Sequence, residues 1–431
     1  MARNIVICSD GTGNEISENI SNVLKLYRVT RKTDRTEPRQ LVFYDPGVGT
    51  LARPDPWNTL KQNTAMVMGL AFGYGLDDNV LAACEFLIDN WERGDQIYLF
   101  GFSRGAYTVR VLAALIHTVG LLSREQKHLS GAALTTYKQT SAAAQRATQD
   151  LVAASGAADA LAPDDRASQF ARITSTRWPT IRFMGVWDTV ASIITPRPDR
   201  FFLFSLEELL FTRSNPSVAA FRQAISIDER RRMFRLHPWE PGQMFRANRF
   251  VATAYDKPQD SDQVWFAGVH ADVGGGYPEA ESGLSKYPLL WMIREAEKHG
   301  LSVNPQTVNH LVLGKRRKGS PYTYVEPSPL GEFHQSLRGA WVPLEYAPKN
   351  DRYKEWKARP SFLGYYIPDG EPRFIPPGSR IHWSAVERLR RDPGYRPVNF
   401  PPDGSFVEVG REQAIESQMG AEASAPDLDQ H

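Results

Sequence analysis

The stretch Ile97-Tyr98-Leu99-Phe100-Gly101-Phe102-Ser103-Arg104-Gly105-Ala106-Tyr107-Thr108-Val109-Arg110-Val111-Leu112 decides the fold. Ile97 to Phe100 reads as a buried strand, Gly101 to Gly105 is a Gly-x-Ser-x-Gly turn, and Ala106 opens an apolar helix that runs to Val119. The pentapeptide alone is a weak signal. With a strand before it and a helix directly after it, it has the setting of a nucleophile elbow, in which a sharp turn lifts a serine hydroxyl above a sheet. Side chains at Gly101 and Gly105 would collide with neighbouring backbone, and Ser103 itself must adopt a strained conformation. The helix behind Ser103 aims backbone N–H groups and a partial positive charge at the site, which makes the amide of Arg104 a candidate oxyanion donor. The plain alternative is a glycine-rich turn that carries a surface serine.

Outward from the elbow, Asn4 to Ser9 and Leu41 to Tyr44 read as two further strands, and Ala71 to Trp91 as a helix. This βαβ alternation predicts an α/β fold of the α/β-hydrolase type, a mostly parallel sheet with flanking helices. From Ser123 to Trp178 the chain turns rich in Ala, Gln, Thr and Ser, and reads as a helical insertion. Strand-like sequence resumes at Thr180 to Trp187 and at Val264 to Val269. The stretch Phe201 to Phe211 is too apolar all round for a surface helix and is either a lid or core. The expected organisation is a catalytic domain over 1–313 with helical insertions near 123–178 and 196–250. An irregular part rich in proline and aromatics, 314–410, packs on that core, and a disordered tail follows over 411–431.

With 431 residues and 42% hydrophobic content the chain can bury a large core. Lys+Arg 51 against Asp+Glu 49 leaves a formal net charge of +2, which argues against a nucleic-acid partner. The two cysteines, Cys8 and Cys84, lie in apolar stretches and read as buried thiols, so no disulfide framework is expected. Nothing approaches the roughly 18 uninterrupted apolar residues of a membrane span. The N-terminus runs straight into a strand with no signal-peptide core, which predicts a cytoplasmic protein.

A serine hydroxyl becomes a useful nucleophile only when an imidazole takes its proton and a carboxylate orients that imidazole. In α/β-hydrolases the chain order is Ser, then Asp or Glu, then His. Of the nine histidines, His270 ends the strong apolar run Val264 to Val269, and Asp188 ends Ile181 to Trp187 in the same way. Strand ends are where ligands bind in such sheets. Asp272, two residues beyond His270, is the rival acid, and His382 the rival base. Gly274-Gly275-Gly276 lacks the Lys-Ser/Thr ending of a phosphate-binding loop and reads as a turn that lets Tyr277 and the backbone pass close to the site.

Ser9-Asp10-Gly11-Thr12-Gly13-Asn14 follows the first strand. Phosphatases of the haloacid dehalogenase type carry Asp-x-Asp-Gly-Thr there, but Cys8 stands where the first aspartate would be, which removes the phosphoryl acceptor and part of the Mg²⁺ ligation. The loop serves better as the second half of an oxyanion hole, with the amide of Gly11 or Thr12 facing that of Arg104 and Asp10 bracing the turn. No cofactor and no metal is called for.

With these residues in hand, the chain resembles an uncharacterised α/β-hydrolase domain family that includes phospholipase effectors of type VI secretion systems. The resemblance rests on ordered blocks at Ser9 to Asn14, Tyr44 to Thr50, Gly101 to Ala106, Gly185 to Val190, Ile227 to Arg231, Val269 to Tyr277 and Ile381 to Leu389. One departure is Gln223, where the family tends to carry histidine. The resemblance implies Ser103 as nucleophile with Asp188 and His270 as acid and base, and a serine esterase or lipase acting on phospholipid acyl esters. It also implies contact with a membrane surface, a secretion-machinery or immunity-protein partner, and export without a signal peptide. Two alternatives stay open: a cytoplasmic esterase on small soluble esters, and a hydrolase-fold binding or effector module without catalysis.

Overall fold

The computed structural model describes residues 2–11, 19–33, 35–47, 75–153, 165–190, 194–196, 204–206, 209–339 and 341–412. In chain order the first half contains β1 (Asn4–Ser9), α1 (Asn22–Val29), β2 (Gln40–Asp45), α2 (Leu76–Asn90), β3 (Gln96–Phe102), α3 (Arg104–Val119), α4 (Ser130–Ala153), α5 (Asp165–Thr174) and β4 (Ile181–Trp187). A short hairpin follows, β5 (Ile194–Pro196) with β6 (Phe204–Leu206), and then β7 (Ala220–Ser226). A second small hairpin joins β8 (Met244–Phe245) to β9 (Lys257–Pro258) ahead of β10 (Asp260–Phe266), α6 (His270–Gly274), α7 (Lys286–Lys298) and α8 (Pro305–Leu311). The last part holds α9 (Trp341–Glu345), the pair β11 (Lys349–Asn350) and β12 (Tyr365–Tyr366), β13 (Arg380–His382), α10 (Trp383–Arg391) and β14 (Val407–Val409).

Eight strands form one sheet in the order β14-β13-β10-β7-β4-β3-β1-β2, and every pairing in it is parallel. The chain starts at β1, steps outward to the edge strand β2, then crosses back to β3 on the other side of β1. From there it proceeds strand by strand to the opposite edge. The reversal between β1 and β3 is a topological switch point, and in open parallel sheets the crevice beyond the strand ends at that point is the ligand site. The elbow serine follows β3, and the Ser9-Asp10-Gly11 loop follows β1.

Alternation along the strands sorts the core into two layers. Ile5, Ile7, Ile97 and Leu99 face one way, against α2 and α3; Val6, Cys8, Tyr98 and Phe100 face the other, against α1, α7 and α8. Helix α3 is buried along its whole length, with Arg110 donating to the Thr212 carbonyl at 3.0 Å and His117 hydrogen-bonded to Ser217 at 2.7 Å. Both cysteines are free and buried. Among the described residues no helix is long and apolar enough to cross a membrane.

Three readings are corrected. The stretch 196–250 is not a helical insertion: within it β7 lies near the middle of the main sheet, between β4 and β10. Its sequence, Ala-Phe-Arg-Gln-Ala-Ile-Ser, hides this because two polar side chains interrupt the apolar run. Arg222 is buried against Glu295 (2.7 Å) and Asp260 (2.9 Å), and Gln223 accepts from buried Arg110 at 2.9 Å. The described part of 201–211 is no helix either, since Phe204–Leu206 is a strand and the remaining residues through Glu208 lie outside the described set. The strand before His270 ends at Phe266 rather than Val269. Of the expected 411–431 tail, residues 413–431 lie outside the described set, while β13 and β14 extend the main sheet from within 314–410.

Close approach explains the elbow's second glycine. A Cβ on Gly105 would lie 2.1 Å from the Ser9 carbonyl oxygen and 2.5 Å from that of Asp10, so α3 can begin against the end of β1 only with no side chain there. Gly131, near the start of α4, has nothing within 4 Å of a Cβ position. Gly105→Ala is therefore expected to destabilise the fold by more than about 2 kcal/mol, whereas Gly131→Ala stabilises it by up to about 1 kcal/mol. Chemical denaturation of the two variants checks the pair, and equal midpoints would contradict the packing described.

Candidate active site

Ser103 sits at φ 57°, ψ −121°, a conformation a serine holds only when its surroundings dictate it. Those surroundings are explicit. Its N–H donates to the Trp187 carbonyl at 3.1 Å, and its carbonyl accepts from Tyr107 at 3.3 Å. A Cβ on Gly101 would fall 2.5 Å from the Gly105 oxygen. Arg104 is the first residue of α3, where backbone N–H groups point out of the helix N-terminus.

Because β3 and β4 run parallel with Phe102 opposite Trp187, the residues that follow them, Ser103 and Asp188, emerge side by side. Asp188 is fully buried at φ 38°. Its carboxylate is shared three ways: Oδ2 lies 2.5 Å from His270 Nδ1, the Arg373 guanidinium donates to Oδ1 and Oδ2 at 2.5 and 3.0 Å, and the Ser226 N–H donates to Oδ1 at 3.0 Å. Burial alone would raise this carboxyl. The Arg373 charge and the hydrogen bonds from His270 and Arg373 outweigh it and hold the group far below the usual carboxylate range.

His270 opens α6, one turn beyond the end of β10. Its ring packs between Phe102 (centroids 4.6 Å) and Phe234 (4.9 Å), and its N–H donates to Glu229 at 3.3 Å. With Nδ1 on Asp188, the other ring nitrogen, Nε2, has no hydrogen-bond partner among the described residues. Burial pushes the imidazole below its ordinary value, more strongly than Asp188 raises it. Glu229 is itself buried and held ionised, because Arg231 at 2.8 Å outweighs the cost of burial. The Arg231 guanidinium in turn lies 3.5 Å from the centroid of the Phe234 ring.

The rivals have other partners. Asp272 accepts from its own loop at Val269 N (3.0 Å) and pairs with His334 Nδ1 at 2.7 Å, so it does not orient His270. His382 caps α10 through Ser384, stacks on Phe266 at 4.7 Å, and is pushed by burial down to about 3. Asp10 accepts from Ser21 Oγ, from Tyr44 at 2.9 Å and from the Gly11 amide at 2.7 Å. That last bond corrects the expectation for Gly11: its N–H is engaged by Asp10 instead of facing the serine. Thr12, the other candidate donor, lies outside the described residues. Gly274 is packing rather than slack, since a Cβ there would meet the Phe102 ring at 1.9 Å. The described residues also bring Glu281, Glu332 and His334 together, with ligand-type atoms within 4.8 Å of one another. His334 is already hydrogen-bonded on both ring nitrogens, to Asp272 and to Glu281.

A parallel α/β sheet with an elbow serine at its switch point defines the class. The chain belongs to the family described as T6SS, Phospholipase effector Tle1-like, catalytic domain, which matches over residues 3–295. A curated relative, the uncharacterized protein YEL023C of Saccharomyces cerevisiae, is 22% identical over 572 aligned residues, covering 93% of this chain and 80% of that protein. Among solved structures, an uncharacterized protein from Pseudomonas aeruginosa is 18% identical with a TM-score of 0.34 over 71% of this chain and 47% of its own. The structure of the Tle1 effector bound to the VgrG spike from the type 6 secretion system is 17% identical with a TM-score of 0.30, over 66% and 53% respectively. The chain thus spans about half the length of these two structures.

Sequence reading missed Arg373, which has no motif around it and lies 185 positions from the carboxylate it grips. It also left Glu229 and Arg231 without a role although they fall in one of the quoted blocks. Arg373→Met strands a buried carboxylate, with an expected loss of about 3–5 kcal/mol of stability. In the surviving folded protein His270 is the one cationic partner left to Asp188 beside the Ser226 amide, the imidazolium is better stabilised, and the His270 pKa rises. Arg373→Lys should lie between the two. NMR titration of His270 in the three proteins checks this, and an unchanged pKa in Arg373→Met would contradict it.

Proposed function

We propose that this chain hydrolyses carboxylic esters of the phospholipid acyl type through an acyl-enzyme on Ser103. The observation that carries the reading is His270, fixed through Nδ1 by a buried carboxylate and unpartnered at Nε2 among the described residues, with its ring packed on Phe102, the residue before the elbow serine at the sheet's switch point. A base oriented in this way can take a proton only at Nε2. Membership of a phospholipase effector family supports hydrolysis and a lipid substrate; the triad and the covalent step rest on the geometry.

In this mechanism Ser103 Oγ attacks the ester carbonyl carbon while Nε2 takes the hydroxyl proton. In this reading the oxyanion is stabilised by the amide of Arg104 together with a second donor from the segment after β1, for which Thr12 is proposed. Collapse breaks the acyl C–O bond, and the departing alcohol takes the proton from Nε2. Water then attacks the acyl-enzyme by the same route, releasing the fatty acid and restoring Ser103. Asp188 stays ionised throughout, because Arg373 keeps it so. Residues through Val409 belong to this catalytic unit, since the last part of the chain supplies both Arg373 and two sheet strands. Family membership also supports delivery by a type VI secretion system and docking on its machinery.

Ser103→Ala should keep the fold and lose at least about 10³-fold in kcat on both short and long acyl esters, and a fluorophosphonate should label Ser103 in the unmutated protein. Wild-type turnover by the variant would end the proposal. The direction of the His270 shift sets the pH profile. A base held below the ordinary imidazole value of about 6.5 is already deprotonated at lower pH, so the acid limb of kcat/KM should have its midpoint below pH 6.5. A midpoint above 7 would contradict the assignment of the base.

A further inference from the structure

Half of the large apolar side chains that the described residues leave exposed lie in the single stretch from Val342 in α9 to Phe374. At its apex Phe362 and Leu363 are 79% and 83% exposed, and Tyr346, Ile367 and Phe374 are exposed in the same stretch. The apex is a tight turn. Phe362 and Tyr365 exchange backbone hydrogen bonds at 2.8 and 2.9 Å, with Leu363 at φ 49° and Gly364 at φ 78°. A leucine in the left-handed region is strained, and a leucine held there in full contact with water loses twice: neither the backbone nor the side chain gains from folding. Strain of this kind points to a role outside the fold's own stability.

The charge beside the apex narrows the partner. Arg352 and Lys357 are exposed in the ten residues before it, with Arg352 stacked over Tyr353 at 4.9 Å, while Lys354 donates to the Arg359 carbonyl at 2.6 Å and Arg359 to the Pro368 carbonyl. The one acidic side chain among them, Glu355, is already paired with Arg235 at 2.8 Å and with the Phe374 amide at 2.7 Å, and Asp351 and Asp369 flank the segment. An apolar and aromatic tip with a basic shoulder complements an anionic lipid surface, where phenyl and leucyl groups enter the acyl boundary and arginine and lysine meet phosphates.

The same segment is bolted to the candidate site. Phe374 follows Arg373, which grips Asp188; Glu345 accepts from the Arg232 amide at 2.6 Å; and the Phe234 ring touches both His270 and Trp341 (4.9 and 5.4 Å). We infer that the Phe362-Leu363 turn and its basic shoulder form a docking surface for anionic phospholipid bilayers, which seats the Ser103 site on the membrane that holds its substrate. The purpose of the surface rests on the ester-hydrolase reading above; its affinity for lipid does not.

The test is sedimentation with vesicles, in a Ser103→Ala background so that lipid is not consumed. Full-length protein should bind vesicles of phosphatidylglycerol with phosphatidylcholine, and bind pure phosphatidylcholine at least about tenfold more weakly. Phe362→Ser with Leu363→Ser should weaken binding to the anionic vesicles at least about tenfold, and Arg352→Glu with Lys357→Glu should do the same and abolish its salt dependence. With Ser103 restored, both double variants should turn over a soluble short-chain ester like the unmutated protein and lose activity on vesicles. Vesicle binding that is absent in the parent, or unchanged by both double variants, overturns the inference, as does a surface that captures only a protein. If vesicles bind as described but the unmutated protein cleaves no ester, the docking surface stands and the hydrolase reading fails.

Discussion

The structure around the site depends on one buried carboxylate. Asp188 has no contact with water, and an ion in that position is tolerated only when its charge is met by well-placed partners. Those partners come from three distant parts of the chain. The Ser226 amide arrives at the end of β7, His270 just after β10, and Arg373 from the C-terminal part, while Asp188 itself follows β4. Removing any of them leaves charge or hydrogen-bonding capacity stranded, at a cost to stability. It also divides labour on the imidazole. Asp188 fixes which nitrogen is presented, and Arg373, by drawing on the same carboxylate, limits how far His270 is stabilised as a cation.

The second constraint is steric and lies at the switch point. α3 starts against the end of β1 because Gly105 carries no side chain, and the loop beyond β1 is drawn together by Asp10, which gathers Ser21, Tyr44 and Gly11. Ser21 also caps α1 through Leu24 N at 3.1 Å. Asn22 beside it donates to the carbonyls of Val273 and Ser285, both at 2.9 Å, tying the start of α1 to the segment that follows His270. The two sides of the crevice are thus braced by hydrogen bonds between elements that are remote in sequence.

The parts legible in the sequence were those whose cause is local. β1, β3 and α3 announce themselves as apolar runs bounded by turn residues, and Asp188 and His270 stand out because each follows such a run. β7 did not, because Arg222 and Gln223 sit inside a buried strand and are satisfied only by Glu295, Asp260 and Arg110, partners that no local pattern predicts. The choice between Asp188 and Asp272 was open for the same reason: proximity along the chain favours Asp272, but that side chain turns to His334 across 62 positions. Arg373 left no trace at all. A lone arginine between Pro372 and Phe374 has no periodicity to read, and its role exists only once the sheet has brought Asp188 to it. Of the apolar Phe201 to Phe211 run, Phe204 to Leu206 and Leu209 to Phe211 are described, and Leu209 and Phe211 pack against the core.

The central claim, that His270 as held by Asp188 and Arg373 serves Ser103, is tested most directly by a crystal structure of the protein after reaction with an organophosphonate. The account predicts phosphorus bonded to Ser103 Oγ, with His270 Nε2 within hydrogen-bonding distance of an oxygen on the adduct and Nδ1 still on Asp188. Phosphorus on another residue, or an imidazole that has left Asp188 and turned Nε2 away from the adduct, would contradict it.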